Sequence, residues 1–152
     1  MNLPTLEIDI QVETTVSVLP HPALIESWIE TALITPTQNT LITVRIIDTE
    51  EMTALNERYR KKSGPTNVLS FLYNTEDPDS GFLHLGDLVF CAPLIAEEAI
   101  QHSKDWRFHW AHLMIHGTLH LQGYDHQKPE EAAIMESLEI KLLNNLGFPN
   151  PY

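Results

Sequence analysis

The feature that most constrains this chain is a spaced set of histidines in its C-terminal third. His116 and His120 are four residues apart, so on an α-helix they lie on one face, one turn from each other, and one metal ion can bind both. Gly123 follows three residues later, and glycine lets a helix end in a left-handed turn. The chain can then reverse and bring His126 to the same ion. The spacing therefore predicts a metal site at the end of a helix.

Three neutral imidazoles suit zinc and leave the fourth position of a tetrahedral ion open for water, which is typical of catalytic sites. We expect one zinc ion per chain, although nickel or copper can replace it during purification. Asp125 is predicted to orient one of the ligand imidazoles. His109 and His112 are interpreted as packing residues or as supports of the ligands. A ligand role for His112 stays open, because it shares the helix face of His116.

The same histidine spacing occurs in the metzincin proteases, and one sequence position distinguishes a protease from another kind of metal protein. Those enzymes carry a glutamate directly after the first histidine, where it serves as the general base of peptide hydrolysis. Here that position is Gly117, which has no side chain. The sequence therefore argues against a peptidase.

Hydrophobic periodicity predicts four strands and five helices in the order β-α-β-α-β-β-α-α-α. The predicted fold class is α+β: a small mixed sheet packed with helices, one of which carries the metal site. Asp48 and Glu51 resemble a capping box at the start of the second helix, and Ile134, Leu138, Lys141 and Leu142 step along the last. We predict strands at about 6–12, 40–47, 67–73 and 85–91, a polar loop at 74–81, and helices at about 22–33, 48–59, 93–102, 105–122 and 129–146.

Length and composition favour one globular domain over residues 1–152. The 152 residues include 43% hydrophobic and 20% charged residues, which are near the averages of globular proteins. Cys91 is the only cysteine, so an intramolecular disulfide and a cysteine-rich zinc finger are excluded. No apolar run approaches the ~20 residues of a membrane span, and the first ten residues show no secretory signal. We therefore expect a cytoplasmic protein without a membrane partner.

The charge balance limits how the chain can meet a nucleic acid. Nine Lys and Arg against 21 Asp and Glu give a net charge of −12, so phosphate is repelled unless a local basic patch exists. Four of the nine cations form one such patch, which we call the basic cluster: Arg58, Arg60, Lys61 and Lys62. Taken alone, the basic cluster is also typical of a solvated helix end, where cations are favourable.

Several blocks of the sequence resemble one known family in the same order. They are HGTLHLQGYDH at 116–126, PTNVLSF at 65–71, LGDLVFCAP at 85–93, HWAH at 109–112 and MESLE at 135–139. Together they resemble the YbeY family of bacterial metal-dependent endoribonucleases, which are also called rRNA maturation factors. The resemblance extends over most of the chain.

The resemblance implies a zinc site at His116, His120 and His126 and an arginine important for activity at Arg60. It implies cleavage of single-stranded RNA rather than DNA, in 16S rRNA 3′-end maturation, ribosome biogenesis and ribosome quality control. The implied partners are the ribosome or its small subunit, with their assembly factors. Arg60 could neutralise charge that develops on phosphate in the transition state. The other three members of the basic cluster, Arg58, Lys61 and Lys62, are predicted to bind the RNA backbone.

Two other functions would keep the same histidines. A non-catalytic ribosome assembly factor could hold a structural metal, and a zinc hydrolase could use the open site on a substrate other than RNA. The sequence also leaves the nucleophile open between a metal-activated water and the ribose 2′-OH.

Overall fold

A single four-stranded sheet organises the chain in the computed structural model, which describes residues 3–34, 36 and 38–152. Three strands run parallel to one another, and the fourth is an antiparallel edge strand, so the sheet is mixed as predicted. In spatial order the strands are β1 (Leu6–Glu13), β2 (Thr40–Ile47), β4 (Leu83–Cys91) and β3 (Val68–Glu76).

Five α-helices pack around this sheet, which confirms the predicted α+β class. They are α1 (Pro22–Ala32), α2 (Thr49–Leu55), α3 (Ala92–Gln101), α4 (Trp106–Leu121) and α5 (Pro129–Asn145). A π-helical segment, Asn56–Arg60, continues α2. Strand β3 runs on to Glu76, so the polar loop predicted from residue 74 begins later than expected. Within the described ranges, no helix is long and apolar enough to cross a membrane.

Helix α4 occupies the centre of the main core. It packs against α1, α3, α5 and strands β3 and β4, so its buried side chains point in nearly every direction. A helix enclosed in this way is held rigidly, because core side chains are close-packed on all sides. Its fully buried apolar residues include Ala111, Met114, Ile115 and Leu119. The residues on this helix therefore have well-fixed positions.

A smaller core lies on the opposite face of the sheet. Alternation along β4 sends Leu88 and Phe90 to the main core, while Val89 and Cys91 pack with Met52 of α2. Cys91 is buried as a free thiol in this second cluster. The sheet is thus covered on both faces where β3 and β4 pair.

The predicted capping box at Asp48 is wrong, although the helix begins where expected. Asp48 is the N-cap residue of α2, but its carboxylate makes no hydrogen bond to the helix. It accepts hydrogen bonds from the Thr14 hydroxyl and from the backbone and hydroxyl of Thr15, the latter two at 3.1 and 2.9 Å. The Thr14 hydrogen bond, followed by those from Thr15, lowers the pKa of Asp48. Asp48 therefore anchors the chain after β1 to the start of α2.

The residues that step along α5 differ in how far they are buried. Ile134 is exposed, with 58% of its surface accessible, and Leu138 is only partly buried. Of the predicted set only Leu142 is buried, and the residues beside it on the inner face are Met135 and Glu139. The inner face therefore includes a carboxylate, and that carboxylate reaches the histidines of α4.

Candidate metal centre and cleft

The three predicted ligands meet at the C-terminal end of α4. His116 and His120 lie one turn apart on this helix, with ring centroids 4.5 Å apart. Gly123 follows with a φ of 95°, and the Tyr124 N–H donates to the Leu119 carbonyl, so the helix ends in the left-handed turn that the glycine predicts. This turn brings His126 back, with its ring 5.4 Å from that of His116 and 5.0 Å from that of His120.

The hydrogen bonds of the imidazoles determine which nitrogens are free. The Nδ1 of His120 lies 2.9 Å from the carbonyl oxygen of Tyr124, which only accepts, so this nitrogen carries a proton. The Nδ1 of His116 lies 2.5 Å from a carboxylate oxygen of Glu139 and donates in the same way. In neutral imidazoles the Nε2 atoms then hold lone pairs, and those of His116 and His120 are 3.0 Å apart.

This arrangement fits a bound cation. Two nitrogen lone pairs that face each other repel, so a shared proton or a metal ion must lie between them. Two imidazole nitrogens on one tetrahedral zinc, each at ~2.0–2.1 Å, are separated by about 3.3 Å. Ligand atoms from all three histidines lie within 4.8 Å of one another. The three-histidine group can therefore hold one metal ion. Among the described residues, His112 is not part of this group.

Burial favours the neutral form that a metal ion requires. Desolvation, together with the neighbouring His116, lowers the pKa of His120 to about 4. Burial acts on Glu139 in the opposite direction and would raise its pKa, but hydrogen bonds from His112, His116 and Tyr152 lower it to about 2. Glu139 is therefore a carboxylate at neutral pH, and it accepts hydrogen bonds only.

The carboxylate that contacts a predicted ligand is Glu139, which we did not predict. Asp125, which we predicted for this role, accepts a hydrogen bond from the backbone N–H of His126 at 2.7 Å. Glu139 lies on α5, 23 residues from His116 along the chain. The available signal was a charged residue on a helix face occupied by Met135 and Leu142, where an apolar residue is expected.

The structure also explains the glycine that follows the first ligand. A Cβ atom added at Gly117 would lie 2.9 Å from the Leu88 side chain and 3.3 Å from the Ser70 hydroxyl. The first distance is shorter than real Cβ atoms show, so any side chain here would force the buried Leu88 side chain to shift. The glutamate that a metzincin needs would therefore disturb the packing of α4 on the sheet.

The ligands open into a cleft of about 830 Å³ between the end of α4 and strand β3. Val68, Ser70 and Leu72 line it from β3, opposite the histidines. Two members of the basic cluster, Arg60 and Lys62, also line this cleft. The cleft thus combines the histidine group with the only part of the chain where cations are concentrated in sequence.

The π-helical segment determines which cations face the cleft. It ends at Arg60, and the next residue, Lys61, has a left-handed φ of 57°. The Asn56 side chain donates to the Gly64 carbonyl at 2.9 Å. Such π-helical turns are frequent at functional sites. The guanidinium of Arg58 instead lies 5.1 Å from the ring of Tyr59. Among the described residues that line the cleft, Arg58 and Lys61 do not occur.

Metal retention is expected to decrease as the pH falls through about 6.5, because protons compete with the ion for histidine nitrogens. His120 should release the ion last: its pKa is lowered to about 4, so it stays neutral well below the ordinary histidine range. Zinc-loaded protein would be incubated between pH 8 and pH 5, desalted and subjected to elemental analysis. Full retention at pH 5 would contradict a site formed mainly by histidines.

Fold and cleft together define a small α+β protein with a three-histidine group that can hold a metal ion in an open cleft. Residues 7–147 match the model of the family described as Endoribonuclease YbeY, and this chain belongs to that family. The resemblance inferred from the sequence is thereby confirmed.

Two relatives carry the same name. Endoribonuclease YbeY of Coxiella burnetii is 51% identical over 152 residues, which cover 97% of this chain and 98% of the relative. Endoribonuclease YbeY of Nitrosomonas europaea is 46% identical over 134 residues, which cover 88% of this chain and 77% of the relative. The solution structure of TM1509 from Thermotoga maritima covers 91% of each chain with 16% identity and a TM-score of 0.49, which is too low to support an argument.

Proposed function

We propose that this protein is a single-strand-specific, metal-dependent endoribonuclease that acts in 16S rRNA 3′-end maturation, ribosome biogenesis and ribosome quality control. The observation that carries the proposal is the one cleft that is lined both by the three histidines and by Arg60. A metal-holding group beside a guanidinium suits a substrate whose reacting centre is a phosphodiester.

Family membership supplies the broader activity. As a member of the Endoribonuclease YbeY family, the chain is an endoribonuclease, a hydrolase of phosphodiester bonds in RNA. Zinc is our proposal for the metal, with one ion per chain held by His116, His120 and His126. We further propose that residues 1–152 form one catalytic domain in the cytoplasm, and that the ribosome or small subunit and its assembly factors are its partners.

The residues in and near the cleft have different proposed roles in RNA cleavage. The three histidines would hold a transition metal, which would supply a Lewis acid beside the scissile phosphodiester. Arg60 offers a planar pair of N–H donors that matches two phosphate oxygens and neutralises the charge that develops on them. The RNA backbone is attracted by Lys62 in the cleft and by Arg58 and Lys61 beyond it, although the net charge of the protein is −12. We therefore assign catalysis to Arg60 and backbone binding to the other three.

The proposal is tested by single-turnover cleavage of an RNA that spans the 3′ end of 16S rRNA. The same sequence as duplex RNA and as single-stranded DNA provides the specificity controls. A His120→Ala variant, purified in parallel, reports any contaminating ribonuclease. We expect internal cuts in the single-stranded RNA that need the metal and disappear in the variant.

Each alternative predicts a different outcome. Ribosome binding without turnover would indicate an assembly factor with a structural metal. Metal-dependent hydrolysis of another phosphodiester or ester, with RNA untouched, would indicate a different zinc hydrolase. Cutting by the His120→Ala preparation at the rate of the unmodified protein would attribute the activity to a contaminant.

A further inference from the structure

Glu139 is a fully buried carboxylate whose hydrogen-bond partners all lie at the metal centre or at the wall of its cleft. It is 0% exposed on the inner face of α5. Removing a carboxylate from water is unfavourable unless hydrogen bonds compensate for the lost solvation. An acid is retained at such a position only if the surrounding donors satisfy it. The identity of those donors indicates what the residue does.

Three donors converge on the two oxygens of Glu139. One oxygen accepts from the Nδ1 of His116 at 2.5 Å. The other accepts from the Nε2 of His112 at 3.3 Å and from the hydroxyl of Tyr152. One donor belongs to a ligand, and the other two belong to residues that line the cleft.

The hydrogen bond to His116 fixes the orientation of a ring that could otherwise rotate. Because a carboxylate only accepts, Nδ1 must carry the proton, and the lone pair of Nε2 points towards His120. His120 is oriented in the same way, but by the backbone carbonyl of Tyr124. A neutral carbonyl polarises an imidazole less than a carboxylate does, so the partner of His116 has the larger effect on ligand basicity.

We propose that Glu139 is a positioning residue of the metal centre: it holds the His116 imidazole in the orientation that binds the ion, and it links the cleft wall at His112 and Tyr152 to that ligand. This inference rests on the proposed metal site at His116, His120 and His126. Glu139 itself is not a ligand, since its oxygens are occupied by the three donors and it lies behind His116. Its effect on the ion is exerted through the imidazole.

The test measures metal affinity directly, without RNA. Purified protein is stripped of metal, and Zn²⁺ is titrated in competition with a chromophoric chelator; Co²⁺ is titrated in parallel, because its visible spectrum reports the coordination geometry. Glu139→Gln keeps the size of the side chain and removes its charge. We expect it to bind Zn²⁺ about 10–100-fold more weakly, which is typical when the partner of a ligand histidine is lost. The Co²⁺ spectrum should change as well.

A matched control is available on the neighbouring helix. Glu98 accepts a hydrogen bond from the Nε2 of His109, also on α4, at 2.9 Å, but His109 is not a member of the metal-holding group. Glu98→Gln makes the same chemical change and should leave zinc affinity as it is in the unmodified protein. Glu139→Asp keeps the negative charge on a shorter side chain, so its Zn²⁺ affinity should lie between those of Glu139→Gln and the unmodified protein. It also serves as the test variant if Glu139→Gln does not fold.

The outcomes separate this inference from the proposed function. A Glu139→Gln protein that folds and binds Zn²⁺ as tightly as the unmodified protein overturns the positioning role and leaves the metal site intact. Equal losses in Glu139→Gln and Glu98→Gln overturn it too, because they indicate a general effect of neutralising an acid that is hydrogen-bonded to a histidine of α4. If the unmodified protein binds neither ion, the proposed metal site is refuted, and this inference is refuted with it.

Discussion

Replacing His116 and His120 together by alanine is expected to remove both the metal and the ability to cut RNA. The two side chains present their Nε2 atoms to each other at 3.0 Å, and His126 alone cannot hold a transition metal tightly. Elemental analysis should change from about one ion per chain to almost none. Single-turnover cleavage of single-stranded RNA should fall to the background of the assay, since the Lewis acid that the reaction is proposed to need would be lost.

The control for this variant removes a histidine outside the cleft. His102 is exposed at the end of α3, and His102→Ala should keep both the metal and the cleavage rate. The melting temperature of the double variant should be compared with that of metal-free protein, because loss of a ligand ion alone lowers stability. Full metal content in the double variant would refute the assignment of the site.

Replacing Arg60 by alanine is expected to slow cleavage by about 10²–10³-fold, the usual cost of removing one electrostatic contact to a developing charge. Arg60 lines the cleft but is not among the three residues of the metal-holding group. Metal content and melting temperature should therefore change little. Arg60→Lys should also be slow, because an ammonium group cannot make the two parallel hydrogen bonds of a guanidinium to phosphate.

The rest of the basic cluster provides the comparison. Arg58→Ala, Lys61→Ala and Lys62→Ala should weaken RNA binding and make it less sensitive to salt, since each removes one phosphate contact. The chemical step under single-turnover conditions should be mostly preserved. Lys62 should have the largest binding effect of the three, because it alone shares the cleft with Arg60. Small and equal effects at all four positions would contradict a catalytic role for Arg60 and would indicate that it only contributes charge to the basic cluster.

The sequence predicted those parts of the site that depend on neighbours along the chain. The spacing of His116 and His120 is a property of any α-helix, and the turn at Gly123 is a local conformational requirement. Strand alternation and helical periodicity are local in the same sense, so the elements and the α+β class followed from them. The family resemblance added Arg60, whose place in the cleft depends on a π-helical turn that no periodicity predicts.

The missed features depend on contacts between distant segments. Glu139 reaches His116 only because α5 packs on α4, and the residue spacing along α5 does not single out Glu139 as a buried position. Asp48 had the local pattern of a capping residue, but Thr14 and Thr15, more than 30 residues earlier, provided better donors. In both cases a tertiary contact prevailed over a plausible local one.

The close approach of α4 to the sheet at Gly117 limits how this scaffold can be redesigned. Changing that glycine to glutamate completes the metzincin pattern in the sequence, but the new side chain would start 2.9 Å from Leu88 and 3.3 Å from Ser70. Accommodating it requires the buried Leu88 side chain to repack or α4 to move away from β3 and β4, and a movement of α4 would also displace His116, the residue immediately before it. A base introduced here would therefore disturb the packing beside a predicted metal ligand. An engineer who wants proteolysis from this fold has to repack the contact between α4 and Leu88 first.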